Sequence, residues 1–181
     1  MEQTTEKRGQ ALGAGFDFVS SMIMALLTVA LVFLLAFRVV AVNGSSMCDT
    51  LHDGDRLALV SRFYTVQRGS IIVINRQGDE PLIKRVVAVA GDTVDIDPET
   101  QHLVLNGEVQ EEAYVKGGVT PDFGFEGPFT VPEGYVFAMG DNRSDSKDSR
   151  QLGAFSTKDI VGKVALRFFP FATAAQLENG E

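Results

Sequence analysis

SIIVINRQGDEPLIKRVVAVAGDTVDID, residues 70–97, consists of short apolar runs cut apart by turn-forming residues. SIIVINR (70–76) and LIKRVVAVA (82–90) flank QGDEP, and TVDID (93–97) follows a Gly-Asp pair. Runs of this length, rich in Val and Ile and bounded by Gly, Pro and Asp, read as β-strands. The same texture extends outward, to RLALVSRFY (56–64) before it and to HLVLNGEVQ (102–110), YVFAMG (135–140) and VGKVALRFF (161–169) after it. Asn106–Gly107 signals a two-residue hairpin, and Pro98 with the ETQ that follows marks another turn. No helical periodicity is sustained beyond residue 43. This part reads as mostly antiparallel β, either a partly open barrel or stacked sheets. Residues 111–132, rich in Gly, Pro and Phe, read as a long loop or a small subdomain.

The N-terminal part has a different character. FVSSMIMALLTVALVFLLAF, residues 18–37, carries no charge, Gly or Pro. About twenty such residues cross a bilayer core as a helix. The apolar stretch resumes after Arg38 with VVAV (39–42), so the anchor is expected over 18–42. A buried core helix is usually shorter and amphipathic. A cleavable leader needs an A-x-A-like site, and RVVAVNGSSM (38–47) is a poor one. Lys7 and Arg8 favour a cytoplasmic N-terminus, a signal that Arg38 weakens. The expected organisation is a cytoplasmic segment (1–17), the anchor, and a soluble domain (43–181). Within that domain, about 98–132 form an insertion and 172–181 a flexible tail.

Composition excludes several function classes. With 24 acidic and 16 basic residues among 181, the chain has a formal charge of −8, unlike a nucleic-acid binder. Cys48 is the only cysteine, so no internal disulfide can form. His52 and His102 show no HExxH spacing, and no CxxC occurs, which leaves no zinc motif. Neither His stands where it would activate the Cys48 thiol.

Three polar clusters can carry chemistry. Gly44-Ser45-Ser46-Met47-Cys48-Asp49-Thr50-Leu51 can present an exposed hydroxyl in a turn, or be a linker. In LIKRVVAVAGD (82–92), strand alternation puts Lys84, Val86 and Ala88 on one face and Arg85, Val87 and Val89 on the other. A buried Lys84 would have a lowered pKa, whereas a strand-end lysine would snorkel to solvent. GDNRSDSKDSR (140–150) can support a site or be an exposed polar loop. A serine nucleophile needs a base at neutral pH, and lysine is the best remaining candidate. Spacing alone does not show that Ser46 and Lys84 meet.

Taken together, GSSMCDTL, HDGDRLAL, LIKRVVAVAGD and GDNRSDSKDSR, in that order behind one N-terminal anchor, resemble bacterial type I signal peptidases, from the anchor to about Phe171. The resemblance implies two antiparallel β regions with a smaller inserted β subdomain. It implies Ser46 as nucleophile, with its backbone N–H in the oxyanion hole, and Lys84 as general base. Ser146 orients the lysine, and Met47 follows the nucleophile. Asp141, Asp148 and Arg150 are support residues, and Arg85 pairs with an acid among them. No cofactor or metal is implied. The implied substrates are preprotein signal peptides cut after small residues of the A-x-A type. The implied setting is the bacterial cell membrane, with a single pass, an extracytoplasmic catalytic domain in contact with the bilayer, and proximity to the secretion translocon.

The chain departs from this pattern at Asp49, where the family has Pro, and at Gly44, where some members have a Ser that donates to the oxyanion. A catalytically silent binding relative and a self-cleaving Ser–Lys repressor relative are the rival readings. Intact Ser46 and Lys84 count against the first, and the spanning helix counts against the second. Phe63 and Tyr64, Phe123, Phe125 and Phe129, and Phe168, Phe169 and Phe171 read as exposed aromatics, among which Phe63 with Tyr64, and Phe123 with Phe125, are expected to form an apolar membrane-facing rim.

Overall fold

The apolar N-terminal run, free of Pro and charge from Phe18 on, lies within helix α1, Glu2–Ala36, whose first half also carries Glu2, Glu6, Lys7, Arg8 and Asp17. The computed structural model describes residues 2–48, 50–62, 64–76, 78–115, 117–173 and 176–177. They divide into two units, Met1–Phe37 and Arg38–Glu181. In α1 the Ser20 and Thr28 hydroxyls donate to the carbonyls of Phe16 and Met24, both at 2.8 Å. These two hydroxyls are thus satisfied within the helix, while Met24, Leu26, Leu27, Leu31 and Leu34 are exposed. The segment Gly15–Val32 is long and apolar enough to cross a membrane. The helix starts well before residue 18 and ends at Ala36. Residues 37–41, expected as the end of the anchor, instead form strand β1 (Phe37–Ala41).

The second unit is built on an antiparallel eight-stranded sheet. Its further strands are β2 (Arg56–Val60), β3 (Ile71–Ile74), β4 (Leu82–Val89), β9 (Tyr135–Met139), β10 (Phe155–Ser156), β11 (Ile160–Phe169) and β12 (Phe171–Thr173). The order is β1-β2-β11-β3-β4-β9-β10, with β12 paired to β11. Strands β5 (Thr93–Ile96), β6 (Leu103–Leu105), β7 (Glu108–Val109) and β8 (Phe129–Thr130) form a second sheet in the order β7-β6-β5-β8. Asn106 and Gly107, at φ 54° and 83°, make the β6–β7 turn, which needs two positive φ values in succession. Val94, Leu103 and Leu105 of the second sheet share one cluster with Val87, Ala88, Phe137 and Met139 of the first. Residues 93–130 therefore bury their apolar side against the main sheet and have no separate core.

Strand β4 is buried on both faces, and its side-chain alternation breaks once. A register shift against β9 falls between Val86 and Ala88. Val86 joins the cluster of Ile72, Ile74, Val136 and Ala138, against which Val89 packs. Val87 and Ala88 both join the other cluster. The expected grouping of Ala88 with Val86, and of Val89 with Val87, is therefore reversed. A bulge adds a residue to one strand and flips the parity beyond it.

The described part of the tail is ordered by packing. Leu177 is buried among Val42, Met47, Leu51, Leu57 and Leu59. Within the segment expected as a flexible tail, residues up to Thr173 belong to β12 and Leu177 is an apolar residue with a core to enter, while 174, 175 and 178–181 lie outside the described residues.

Candidate active site

Beyond β1 the chain enters the core at Val42 and turns at Gly44, whose φ is 93°. A side chain there would be strained, which accounts for glycine where a serine was looked for. The Gly44 N–H donates to the Asp53 carboxylate at 2.9 Å. A tight turn follows, in which the N–H groups of Cys48, Thr50 and Leu51 donate to the carbonyls of Ser45, Met47 and Met47 at 3.0, 3.0 and 2.8 Å. Met47 and Leu51 are sunk in the core and pin this turn. Ser46 stays half-buried at its rim.

Lys84 comes from β4, opposite Ile72 in β3. Its residue is only 2% exposed. The ammonium nitrogen Nζ lies 2.6 Å from Ser46 Oγ and donates to the Ile83 carbonyl at 3.0 Å. Burial pushes the amine down to about 8, against the pull of the Asp148 and Asp141 carboxylates, and Arg150 adds to the lowering. Such an amine is substantially neutral near pH 8, whereas an exposed lysine is not.

The loop after β9 closes the site. The Asn142 N–H donates to the Ser46 carbonyl at 3.1 Å. The Asn142 side chain donates to the Ser45 carbonyl at 3.2 Å, and the Ser45 hydroxyl donates to Asp145 at 2.6 Å. Beneath them lie two fully buried ion pairs. Arg85 grips Asp141 with two bonds of 2.8 and 2.7 Å, and Thr50 Oγ1 donates to the same carboxylate at 2.6 Å. Arg150 grips Asp148 at 2.9 and 2.8 Å. Asp148 also accepts the Gly140 N–H at 3.0 Å and caps the short helix α2 (Ser149–Leu152). Burial works against the Asp148 carboxylate, but Arg150 and the other donors hold its pKa below the ordinary value. A Cβ at Gly140 would sit 2.3 Å from both the Ser46 carbonyl oxygen and Ser146 Oγ, so only glycine fits between them.

Apolar walls run from this pair. Val40–Val42, Val73, Leu82, Ile83 and Val161 line a groove of about 450 Å³ that reaches Ser46 and Lys84. Asn43 and Glu80 stand at its polar edge, 3.3 Å apart. Among the described residues no cluster of His, Cys, Asp and Glu could hold a metal ion.

A family model described as signal peptidase, peptidase S26, matches residues 15–169. The chain belongs to this peptidase family. It is a hydrolase of the serine peptidase class. It is 36% identical to a signal peptidase I of Bacillus licheniformis, over 93% of this chain and 96% of that protein. It is 38% identical to a signal peptidase I P of Bacillus subtilis subsp. natto, over 85% and 89%. A solved signal peptidase I from Enterococcus faecalis V583 aligns with a TM-score of 0.46 and 27% identity, covering 56% of this chain and 98% of that one.

The fold brings Ser46, Lys84, Arg85, Asp141, Asp148 and Arg150 together, with Met47 buried beneath the turn. Ser146 is buried beside Gly140, but among the described residues its Oγ makes no hydrogen bond to Lys84. The two bonds of Lys84 go to Ser46 and Ile83 instead. Asp49 and Phe63 lie outside the described residues. The sequence reading missed the clasp supplied by residues 112–123. Glu112 pairs with Arg143 through bonds of 2.6 and 2.7 Å, Thr120 accepts from the same guanidinium at 2.5 Å, and Tyr114 covers Arg85 at 3.9 Å. Arg143 stood within GDNRSDSKDSR and could have been asked for a partner. Nothing in the pattern around Glu112 and Tyr114 pointed inward.

Proposed function

We propose that this chain is a membrane-bound endopeptidase that cuts signal peptides from exported preproteins, with Ser46 as nucleophile and Lys84 as general base. The observation that carries the reading is the 2.6 Å approach of a buried, pKa-lowered Lys84 amine to Ser46 Oγ at one end of an apolar groove. Neutral Lys84 takes the Ser46 proton as Oγ attacks the scissile carbonyl, and the ammonium then protonates the leaving amine. The acyl-enzyme is released when Lys84 takes a proton from water, the hydroxide attacks the ester, and the ammonium returns the proton to Ser46 Oγ as the C–O bond breaks. The Ser46 backbone N–H donates to the oxyanion.

The buried ion pairs Arg85–Asp141 and Arg150–Asp148 hold the lysine strand and the closing loop in register. A substrate lying extended in the groove presents alternate side chains to its walls. Cleavage after small residues of the A-x-A type is the specificity proposed for this groove. Helix α1 serves as a single-pass anchor, with the catalytic domain on the extracytoplasmic side.

The deciding experiment incubates the full chain in detergent with a signal-peptide-bearing precursor and sequences the N-terminus of the product. The parent should cut after a small residue, and Ser46→Ala and Lys84→Ala should lose at least a hundredfold in rate. A precursor left intact by the parent, or cut as fast by Ser46→Ala, overturns the reading.

A further inference from the structure

We propose that Leu177, outside the residues matched to the family model, is a positioning residue for the nucleophile turn, so that the C-terminal segment completes the catalytic site from behind. Two contacts carry this. The Leu177 side chain is 1% exposed and sits in one cluster with Met47 and Leu51, the two residues that anchor the turn bearing Ser46, and with Ile71 and Val73 of β3. Strand β3 pairs directly with the lysine strand, setting Ile72 against Lys84 and Ile71 against Arg85. The Leu177 carbonyl accepts a buried 2.8 Å bond from Arg85, whose guanidinium also holds Asp141. Asp141 in turn accepts from Thr50 in the nucleophile turn. One residue of the tail therefore touches both halves of the site, the turn through its side chain and the lysine strand through its carbonyl. Removing the side chain leaves a cavity beneath Met47 and Leu51, and surrounding structure collapses into such cavities only in part. The turn would then hold Ser46 less firmly against Lys84, and misplacement of a nucleophile by a fraction of an ångström slows chemistry more than it weakens binding.

The effect on turnover rests on the Ser46–Lys84 reading, whereas the effect on the turn does not, so the test measures both. It compares the full chain in detergent with Leu177→Ala, Leu177→Met and a truncation after Thr173. Amide hydrogen exchange is followed at Cys48, Thr50 and Leu51, which donate within the turn, and at Val94 and Leu105 in the second sheet. In Leu177→Ala the turn amides should exchange about tenfold faster while those of the second sheet keep their rates. Cleavage of the precursor should show kcat lowered about tenfold with KM within twofold of the parent. Leu177→Met, of similar volume, should restore both. The truncation, which also removes the carbonyl from Arg85, should exceed Leu177→Ala in both effects. Unchanged turn amides, or equal acceleration in the turn and in the second sheet, overturn the proposal, since a merely stabilising residue would loosen the whole unit. A parent as inactive as Ser46→Ala overturns the catalytic reading instead, and the exchange data then still decide the role of Leu177. If the truncation does not fold, Leu177→Ala and Leu177→Met decide alone.

Discussion

Lys84 is the general base of the proposed mechanism, and its burial has a thermodynamic signature apart from catalysis. A lysine lowered from the ordinary value near 10.5 to about 8 binds its proton less tightly folded than unfolded. Between those pH values the unfolded state holds more protons, so stability rises with pH across the window. Below pH 8 the lysine is charged in both states, and the penalty is constant at an upper limit of about 3 kcal/mol. Replacing Lys84 by Met removes the penalty. Lys84→Met should therefore be inactive yet gain stability at pH 6, and most of that gain should vanish by pH 11, as read from urea unfolding of both proteins at each pH. A stability difference independent of pH would show that the amine is not depressed. In the parent, kcat/KM should climb with a midpoint near 8. Lys84→Arg should be as inactive as Lys84→Ala, because guanidinium does not lose its proton at working pH.

At the scale of elements, the clasp of residues 112–123 does what no single motif could. The GDNRSDSKDSR loop buries two arginines, Arg143 and Arg150. Breaking a buried ion pair by deleting one partner costs about 3–5 kcal/mol, because the remaining charge stays desolvated. Glu112→Gln, isosteric but neutral, should accordingly lower the unfolding free energy by about that amount and reduce activity in parallel. A thermal melt unchanged within a degree would mean that Arg143 finds other partners. The sequence reading foresaw the strands and the Asn106–Gly107 hairpin, because alternation and turn chemistry are local. It foresaw the Ser46 and Lys84 segments because four motifs stood in order. It could not foresee that a bulge after Val86 reverses the faces of Ala88 and Val89, since a bulge is fixed by the partner strand. Nor could it place Glu112 and Tyr114 on arginines far along the chain, since loop residues of no distinctive spacing acquire partners only once the sheets close. Ser146, assigned a bond to Lys84 by resemblance, has none here.

For the whole molecule, the proposed membrane anchorage through α1 leads to a prediction about which surfaces of the second unit meet a bilayer. The Phe123–Phe125 pair of the expected rim is split: Phe125 is half-buried, whereas Phe123 stays 42% exposed. Phe125 packs edge-on against Phe137 at 5.3 Å between ring centres, and Phe123 lies under the Arg150 guanidinium at 4.7 Å. Among the described residues of the second unit, the most exposed aromatic side chains are Phe169 and Phe171 at the β11–β12 turn, 68% and 71% exposed, beside Phe168 at 39%. Clustered exposed aromatics mark a membrane or partner surface more often than chance. The boundary for testing them follows from the fold. A fragment beginning at Asn43 lacks β1 and Val42, and with them one wall of the groove, so it should be unstable and inactive. A fragment beginning at Arg38 keeps both and should fold. That fragment should sediment with lipid vesicles, and the double substitution Phe169→Ser and Phe171→Ser should abolish most of the binding while leaving its melting temperature unchanged. Burial of a phenylalanine is worth about 1.5–3 kcal/mol, and even partial insertion of two rings should change the partition coefficient at least tenfold. If the Arg38 fragment ignores vesicles while remaining folded, α1 alone ties the protein to the membrane and the aromatic turn faces water.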